Sequence, residues 1–367
     1  MPRLQYVSGV TTGTVLFFFL GLALLVAGGE LLVRGASRLA RRLGVTELVI
    51  GLTVVAFGTS SPELVVSILA AVEGKSEIAV GNVVGSNIFN VLFILGLAAL
   101  IRPLVVARTL VRRDIPVMIA ASLLFWLFAT DRLISKLEAG VFVAGILSFT
   151  GYTVWAARRE LAAGDDEAPL APGAIGWMAD GVCVIAGLVM LVFGARWLVD
   201  AAVATARALG VDEAVIALTI VAAGTSLPEV VTSVVATIKG KSDIAVGNIV
   251  GSNIFNILSI LGISAMFGAD GLRVSPSMEN FDVPVMIAVA IACLPFLASG
   301  HLLARWEGGV FLGYYFLYAT YLVLSVQQHA ALPLFSRVTA WFVLPITALT
   351  ILVILLRARR RLVSPRD

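Results

Sequence analysis

The chain has 367 residues, of which 59% are hydrophobic and only 13% are charged, and its mean hydropathy is +1.01. A soluble domain carries about twice that charged fraction, and many apolar runs reach the roughly 20 residues that a membrane-spanning helix needs. The formal net charge of +3 comes from basic residues spread over the predicted loops, so a soluble protein and a nucleic-acid partner are both excluded. We predict an all-α polytopic membrane protein whose surroundings are the lipid bilayer.

Eleven hydrophobic helices are predicted in chain order, at about 12–36, 47–72, 78–100, 115–130, 138–157, 177–205, 212–238, 243–267, 283–298, 306–325 and 339–357. The first ten divide into two groups of five. An odd number of spans in each group places the second group upside down relative to the first, which is a recurring plan of secondary transporters. We therefore predict two inverted five-helix repeats, which form ten core transmembrane helices, and one extra C-terminal transmembrane helix. The predicted units are a first repeat at 1–157, a connecting loop at 158–176, a second repeat at 177–325, and an additional helix with a basic tail at 326–367.

Two stretches of the chain are close copies of each other. Residues 52–97 and 218–263 align without a gap, and 31 of their 46 positions are identical. Each copy holds two polar motifs, Gly-Thr-Ser-x-Pro-Glu at 58–63 and 224–229 and Gly-Ser-Asn-Ile-Phe-Asn at 85–90 and 251–256. Repeats that serve only packing keep their apolar pattern, whereas these copies keep a carboxylate, hydroxyls and asparagines. The pattern predicts a small ion held between the two halves of a transporter.

The first motif predicts a break in the second helix. Pro62 has no N–H group and clashes with the carbonyl of Gly58, so the helix should kink or unwind between them. Carbonyls near Ala56 and Phe57 are then expected to lack partners or to point into a cavity. Irregular backbone is tolerated at membrane depth only where it is buried in protein or lines a watered site. Pro228 predicts the same break in the seventh helix.

The second motif belongs to a polar stripe along an otherwise apolar helix. The stripe consists of Asn82, Ser86 and Asn90 in helix three and of Asn248, Ser252 and Asn256 in helix eight. If the two halves face each other, carboxylates, hydroxyls, amide oxygens and carbonyls converge into an all-oxygen shell. Calcium takes about six to eight oxygen ligands, and sodium is a hard cation that can use the same groups. The repeats contain no His or Cys, which argues against zinc, copper or iron.

Glu63 and Glu229 are the strongest functional candidates. An ionised side chain in the middle of a membrane costs about 3 kcal/mol on insertion scales, so it is functional by default. Close helix packing is the favoured role of Gly85 and Gly251. Asn87 and Asn253 lie off the stripe, and for them packing, loop bonding and ion ligation stay open.

Together these motifs resemble the two alpha-repeats of the cation/calcium exchanger superfamily, and in particular the prokaryotic sodium/calcium exchangers. The resemblance covers about residues 12–325. It implies ten core helices in two inverted halves, with calcium and sodium as the transported ions. We expect no cofactor, and although the sequence leaves the oligomeric state open, a monomer would suffice for transport. Members that need potassium carry Asp at the position of Asn256, so the Asn in this chain argues against potassium coupling.

The resemblance also implies a role for each residue of the site. Glu63 and Glu229 would be the carboxylates shared by calcium, and Asn90 and Asn256 would complete the central group. The remaining implied ligands are the backbone carbonyls of Thr59 and Thr225 for calcium and, for sodium, the carbonyls of Ala56 and Ala222 with Ser60, Ser226, Ser86 and Ser252.

Basic residues predict the orientation of the chain in a cell (inner) membrane. With the N-terminus outside and the C-terminus in the cytoplasm, 18 of the 26 Lys and Arg residues fall on the inner side, as the positive-inside rule expects. At helix starts, the acidic residues Asp114, Asp282, Glu138 and Glu307 are expected to bond free N–H groups. Glu30 and Arg34 are spaced as an intrahelical ion pair.

The sequence thus predicts a calcium/sodium antiporter that works by alternating access and exports calcium as sodium enters. Helices one and six, which carry Gly28, Gly29 and Gly194, are the predicted sliding pair. The alternative is a calcium/proton exchanger in which the same two glutamates bind protons. A passive calcium channel and an intramembrane enzyme are less favoured, because the chain shows neither a continuous polar pore nor a second catalytic set.

Overall fold

The fold is built almost entirely of long helices. The computed structural model describes residues 11–162, 174–211, 216, 220, 222–298, 300–343 and 345. Within these residues, eight helices are long and apolar enough to cross a membrane, or nine if the two parts of a bent helix count as one span.

The helices are numbered in chain order. They are α1 Thr12–Leu43, α2 in two parts Glu47–Thr59 and Ser61–Val72, α3 Ser76–Ile101, α4 Leu110–Asp131, α5 Lys136–Ala162, α6 Ala174–Ala208, α7 with the described parts Ala222–Gly224 and Leu227–Ile238, α8 Ser242–Phe267, α9 Met278–Ala298, α10 Arg305–Val326 and α11 Leu332–Val338. Two-residue strands lie between some of them: β1 Leu104–Val105, β2 Leu133–Ile134, β3 Leu272–Arg273 and β4 Leu302–Leu303.

The predicted helices one to ten correspond to α1–α10, although several ends differ. The helix predicted at 212–238 lies partly outside the described residues, and so does most of the helix predicted at 339–357, of which the structure describes the π-helical turn Thr339–Val343 and residue 345. The C-terminal part that is described begins earlier than predicted, with α11.

The helices α4 and α9 begin about five residues before the predicted starts at 115 and 283. This corrects the prediction that Asp114 and Asp282 bond free N–H groups at the starts of these helices. Each opens with a π-helical turn, Leu110–Asp114 or Met278–Asp282. Asp114 is therefore not a cap, and its carboxylate accepts hydrogen bonds from the Arg113 guanidinium, with Nε to Oδ1 at 2.7 Å. Asp282 instead accepts from the Tyr318 hydroxyl at 2.8 Å.

The capping role predicted for the two glutamates is confirmed. Glu138 accepts from the backbone N–H of Ser135 at 2.8 Å, and Glu307 accepts from the N–H of Ala304 at 2.7 Å. Each carboxylate thus satisfies a donor in front of the first turn of its helix, α5 or α10.

α3 and α8 form the centre of the molecule. In the most apolar part of each, 72% and 89% of the residues are buried, against 28% in α1, α5 and α6 and 6% in α10. The larger apolar core accordingly includes Val83, Ile88, Ile249 and Ile254 from these two helices. The polar motifs of both repeats therefore lie in the most protected part of the fold.

The two repeats are joined by reciprocal contacts. β1 pairs antiparallel with β4, and β2 pairs antiparallel with β3, so that each pair takes one strand from each repeat. β1 and β3 follow corresponding helices, α3 and α8. The two strand pairs are therefore equivalent. In β1–β4 the first repeat supplies the strand that follows α3, and in β2–β3 the second repeat supplies the strand that follows α8.

α1 and α6 pack with their backbones in close approach. A Cβ atom added at Gly187 would lie 2.6 Å from the backbone nitrogen of Leu32 and 2.8 Å from the carbonyl oxygen of Gly28. A Cβ atom at Gly21 would lie 2.8 Å from the carbonyl oxygen of Gly194. Small residues permit this approach between membrane helices, where van der Waals packing replaces the hydrophobic effect.

This packing predicts opposite effects for two glycines of α6. Gly187→Ala should destabilise the protein by about 1–3 kcal/mol, since the new methyl group meets backbone atoms that have no room to move. Gly181→Ala is the matched control, because a Cβ atom there has no neighbour within 4 Å among the described residues and Ala is a better helix former by about 1 kcal/mol. Thermal unfolding in detergent should show a lower midpoint for the first variant and an unchanged or higher midpoint for the second. Equal midpoints would contradict the close approach.

Candidate cation site

The candidate site begins at two matched breaks in α2 and α7. The parts of α2 meet at an angle of 45°, and Ser60 at the junction has φ −81° and ψ 6°, outside the helical range. Ser226 has φ −88° and ψ 8° at the corresponding junction in α7. Pro62 and Pro228 lie in the first turn after each junction, where a missing N–H group costs least. The predicted break in α2 is confirmed.

Across these breaks, each repeat bonds the glutamate of the other. The hydroxyl of Ser60 donates to Oε1 of Glu229 at 2.9 Å, and the hydroxyl of Ser226 donates to Oε1 of Glu63 at 3.0 Å. Both carboxylates are 1% exposed. The two acidic side chains therefore lie in the interior, on facing parts of the two repeats, and these parts are joined by the two Ser–Glu hydrogen bonds.

Each carboxylate keeps one oxygen without a partner. Among the described residues, neither Oε2 of Glu63 nor Oε2 of Glu229 has a hydrogen-bond partner, and both atoms are buried. The amide oxygens of Asn90 and Asn256 are buried and unpartnered in the same way. Buried polar atoms are almost always paired in folded proteins, so these four oxygens indicate a place where a cation can bind.

Two other asparagines support the backbone of the glutamates. Asn82 donates to the carbonyl oxygen of Glu63 at 3.2 Å and to the hydroxyl of Ser67 at 2.9 Å. In the other repeat, Asn248 donates to the carbonyl oxygen of Glu229 at 3.5 Å and to the hydroxyl of Ser233 at 3.0 Å. These bonds fix α2 to α3 and α7 to α8 beside the site.

The threonines after the glycines link the repeats through these asparagines. The hydroxyl of Thr59 donates to Oδ1 of Asn248 at 3.0 Å, and the hydroxyl of Thr225 donates to Oδ1 of Asn82 at 3.5 Å. Their side chains are therefore engaged with amides, which leaves their backbone carbonyls as the groups that could face an ion.

Four asparagines connect α3 and α8. Oδ1 of Asn253 accepts from the amide of Asn90 at 3.0 Å, and Oδ1 of Asn87 accepts from the amide of Asn256 at 2.9 Å. Asn90 and Asn256 each begin a π-helical turn, Asn90–Leu95 or Asn256–Leu261. Such turns are frequent at functional sites, and each shifts the phase of the side chains along its helix.

The structure brings most of the predicted site residues together. The hydroxyl oxygens of Ser86 and Ser226 lie 3.2 Å apart, within hydrogen-bonding distance, and Ser86 is buried, as is Ser252. The side chain of Ala222 lies outside the described residues, although its backbone belongs to the turn Ala222–Gly224. The predicted site is thus one cluster between the two repeats.

The carbonyls near the break in α2 have hydrogen-bond partners, so the first of the two predicted alternatives is wrong. The carbonyl oxygen of Ala56 accepts from the N–H of Ser60 at 3.0 Å, and that of Phe57 accepts from the hydroxyl of Ser61 at 3.0 Å. The helix bends without unwinding there, because the N–H of Ser60 closes the last turn before the break and the hydroxyl of Ser61 bonds the carbonyl of Phe57. A carbonyl oxygen has two lone pairs, so Ala56 can still offer one to an ion.

Sequence reasoning missed the supporting residues. The sequence pattern predicts Asn82 and Asn248 on the polar stripe but does not assign them to the site, and it does not distinguish Ser67 and Ser233 from packing residues. The signal was present, since Ser67 and Ser233 are identical positions of the repeat and lie one helical turn beyond the glutamates. Asn87 and Asn253, whose role the sequence leaves open, bond to other asparagines in the structure.

The cluster is a set of hard oxygen donors. Its two carboxylates are accompanied by neutral hydroxyl and amide groups, and no group of three or more His, Cys, Asp or Glu residues that could hold a metal occurs in the described part of the chain. Two carboxylates with several neutral oxygens suit calcium or sodium, which bind oxygen in flexible shells, better than transition metals, which favour nitrogen or sulfur.

Comparisons with known proteins agree with this chemistry. The chain is 37% identical over 340 residues to the sodium/calcium exchanger MaX1 of Methanosarcina acetivorans, covering 83% of this chain and 97% of MaX1. It is 37% identical over 283 residues to the inner membrane protein YrbG of Escherichia coli, covering 74% of this chain and 84% of YrbG. A solved structure of the sodium-calcium exchanger NCX_Mj, soaked without sodium and calcium, matches with a TM-score of 0.74 at 30% identity and covers 84% of this chain and 99% of that one.

A model of the sodium/calcium exchanger protein family matches two segments of the chain, residues 13–155 and 181–324. These segments contain both copies of the repeat and every residue of the candidate site. The chain is a transporter rather than an enzyme, and it belongs to the sodium/calcium exchanger family.

Proposed function

We propose that this protein is a calcium/sodium antiporter that exports calcium from the cell as sodium enters. The observation that carries the proposal is the pair of buried glutamates, each bonded by a serine of the opposite repeat and each left with one unpartnered oxygen. Two negative charges in an apolar interior need a counter-charge. One calcium ion or two sodium ions supply it.

The proposed ligands form one central set in which calcium and sodium compete. Oε2 of Glu63 and of Glu229 would bind calcium, together with the backbone carbonyls of Thr59 and Thr225. Oδ1 of Asn90 and of Asn256 complete the central group. The sodium ligands would be the carbonyls of Ala56 and Ala222 and the hydroxyls of Ser60, Ser226, Ser86 and Ser252.

Alternating access follows from this set. The proposed architecture has ten core helices in two inverted halves, 1–157 and 177–325, joined by 158–176 and followed by an extra C-terminal helix at 326–367. An empty site with two uncompensated charges crosses the membrane at high cost, so only a loaded site would change sides and exchange would be obligatory. α1 and α6, which meet through glycines, are the proposed moving pair, because this close contact would let the two helices move together.

We place the protein in the cell (inner) membrane. In the proposed orientation the N-terminus lies outside and the C-terminus lies in the cytoplasm. Three basic residues that this orientation places on the inner side form ion pairs: Lys239 pairs with Glu30 at 2.6 Å, Lys241 pairs with Glu47 at 2.7 Å, and Arg34 pairs with Glu30. At the other end, Arg132 pairs with Glu279 at 2.6 Å. The clustering of basic side chains at one end supports this orientation.

Sodium-driven uptake of radiolabelled calcium into proteoliposomes tests the function. The wild-type protein should take up calcium when an outward sodium gradient is imposed, and Glu63→Gln and Glu229→Gln should reduce uptake to the level of protein-free liposomes, since each removes one of the two charges. Glu73→Gln is the matched control, because Glu73 follows the same helix but its side chain is 57% exposed and pairs with Lys75. It should transport like the wild type.

Two results would contradict the proposal. Uptake driven by a pH gradient in sodium-free medium, with no response to sodium, would assign the glutamates to a calcium/proton exchanger. Full activity in either glutamine variant would remove the carboxylate pair from the mechanism.

Labelling of single cysteines tests the orientation. Lys75 has a 58% exposed side chain in the connection between α2 and α3, and Arg108 is exposed before α4. In a Cys183→Ser background, a membrane-impermeant maleimide should label Lys75→Cys in right-side-out vesicles and Arg108→Cys in inside-out vesicles. Cys293 is buried and should not react. The reverse pattern would place the N-terminus in the cytoplasm.

A further inference from the structure

Two methionines contact the asparagine network from outside the site. The side-chain amide of Asn87 donates one N–H to Sδ of Met286 at 3.7 Å, and the side-chain amide of Asn253 donates one N–H to Sδ of Met118 at 3.6 Å. Each contact joins the two repeats, with the methionine in α4 or α9 and the asparagine in α3 or α8. Both methionines are buried, at 0% and 2% exposure.

These methionines belong to a repeated motif that the ion ligands do not use. Residues 114–118 and 282–286 both read Asp-x-Pro-Val-Met. The chain has seven methionines, and two of them occupy matched positions with matched partners. Methionine commonly fills gaps in apolar cores, but a gap-filling role does not require both sulfur atoms to face an amide donor.

The contacts fix which way each amide points. Asn87 uses one N–H for the carbonyl oxygen of Asn253 at 3.3 Å and the other for Met286, while its oxygen accepts from Asn256. If this amide turned over, its oxygen would face two acceptors and its NH2 group would face another NH2 group. Asn253 is held in the same way, between the carbonyl oxygen of Asn87 at 3.3 Å and Met118.

The direction of these amides determines what the site presents to an ion. Because Asn87 and Asn253 offer oxygen, Asn256 and Asn90 must offer NH2 to them, and the opposite ends of those amides are the unpartnered oxygens in the site. With either amide reversed, an NH2 group would replace an oxygen ligand and repel a cation. Because Asn90 and Asn256 are both amides, the direction of the side chain must be fixed in both repeats.

We propose that Met118 and Met286 are positioning residues that, through Asn253 and Asn87, keep the amide oxygens of Asn90 and Asn256 directed at the cation. The inference rests on the proposed function, since it concerns the same calcium site. Removing a thioether leaves a buried N–H unpaired and removes one of the contacts that oppose reversal. A weak hydrogen bond of this kind corresponds to about a threefold change in calcium affinity, and two of them to about tenfold.

Calcium-dependent thermal stabilisation of the purified full chain tests the proposal, because a ligand that binds the folded protein raises its unfolding midpoint. Leucine conserves the volume of methionine and lacks an acceptor. Met118→Leu and Met286→Leu should each raise the calcium concentration for half-maximal stabilisation about threefold, and the double variant should raise it about tenfold. Met266→Leu is the control, since Met266 is 43% exposed on α8, and it should behave like the wild type.

Glutamine at position 118 separates positioning from packing. If Met118 only packs, Met118→Leu should bind calcium at least as well as Met118→Gln, because leucine suits an apolar core better. If Met118 positions Asn253, the amide oxygen of the glutamine variant can accept the hydrogen bond and calcium affinity should exceed that of the leucine variant.

The outcomes also distinguish this inference from the proposed function. If calcium stabilises the wild type and the leucine variants show the same half-maximal concentration, the positioning role is wrong and the calcium site stands. If calcium neither stabilises the wild type nor enters proteoliposomes, the proposed function fails and this inference fails with it.

Discussion

The structure depends on two carboxylates that are held in an apolar interior by the opposite halves of the chain. Glu63 and Glu229 are each 1% exposed, and each is bonded by one serine of the other repeat. A single hydroxyl does not replace the hydration that an ionised carboxylate loses on burial. The second oxygen of each carboxylate, which has no hydrogen-bond partner among the described residues, shows this deficit of stabilising contacts. The proposed cation between the repeats would remove this deficit, which would make the ion part of the electrostatic balance of the loaded protein.

The exchange of partners between the repeats means that neither repeat contains a site by itself. Ser60 donates a hydrogen bond to Glu229, Thr59 donates to Asn248, and Asn90 donates to Asn253. For each of these bonds, the corresponding residue of the second repeat donates to the first repeat. The strand pairs β1–β4 and β2–β3 tie the same halves at a distance from the site. A relative movement of the central helices would therefore disturb both halves of the site together. This agrees with the proposal that α1 and α6 move around an intact centre.

The sequence predicted which polar residues cluster between the repeats better than it predicted what holds them. Pro62 predicted the break in α2, and the repeated Glu, Ser and Asn positions predicted the cluster, because an ionisable group in an apolar helix has few structural roles. The starts of α4 and α9 and the partners of Asn87 and Asn253 were not predictable. A helical stripe assumes a constant period, whereas π-helical turns at Asn90–Leu95 and Asn256–Leu261 change the phase. Partners such as Met286 come from another helix, which the spacing along one helix cannot reveal.

The neutral central amides set the charge that the site can hold. Because Asn90 and Asn256 carry no charge, the formal charge of the central group comes from the two glutamates alone. One calcium ion then leaves the central group neutral, as do two sodium ions, and either loaded form avoids a net charge in the bilayer interior. An aspartate at position 256 would add a third negative charge and would favour an additional cation. The same neutrality has a structural cost, since an amide has a donor end as well as an acceptor end. A site built on two asparagines must therefore control their direction, which an aspartate would not require.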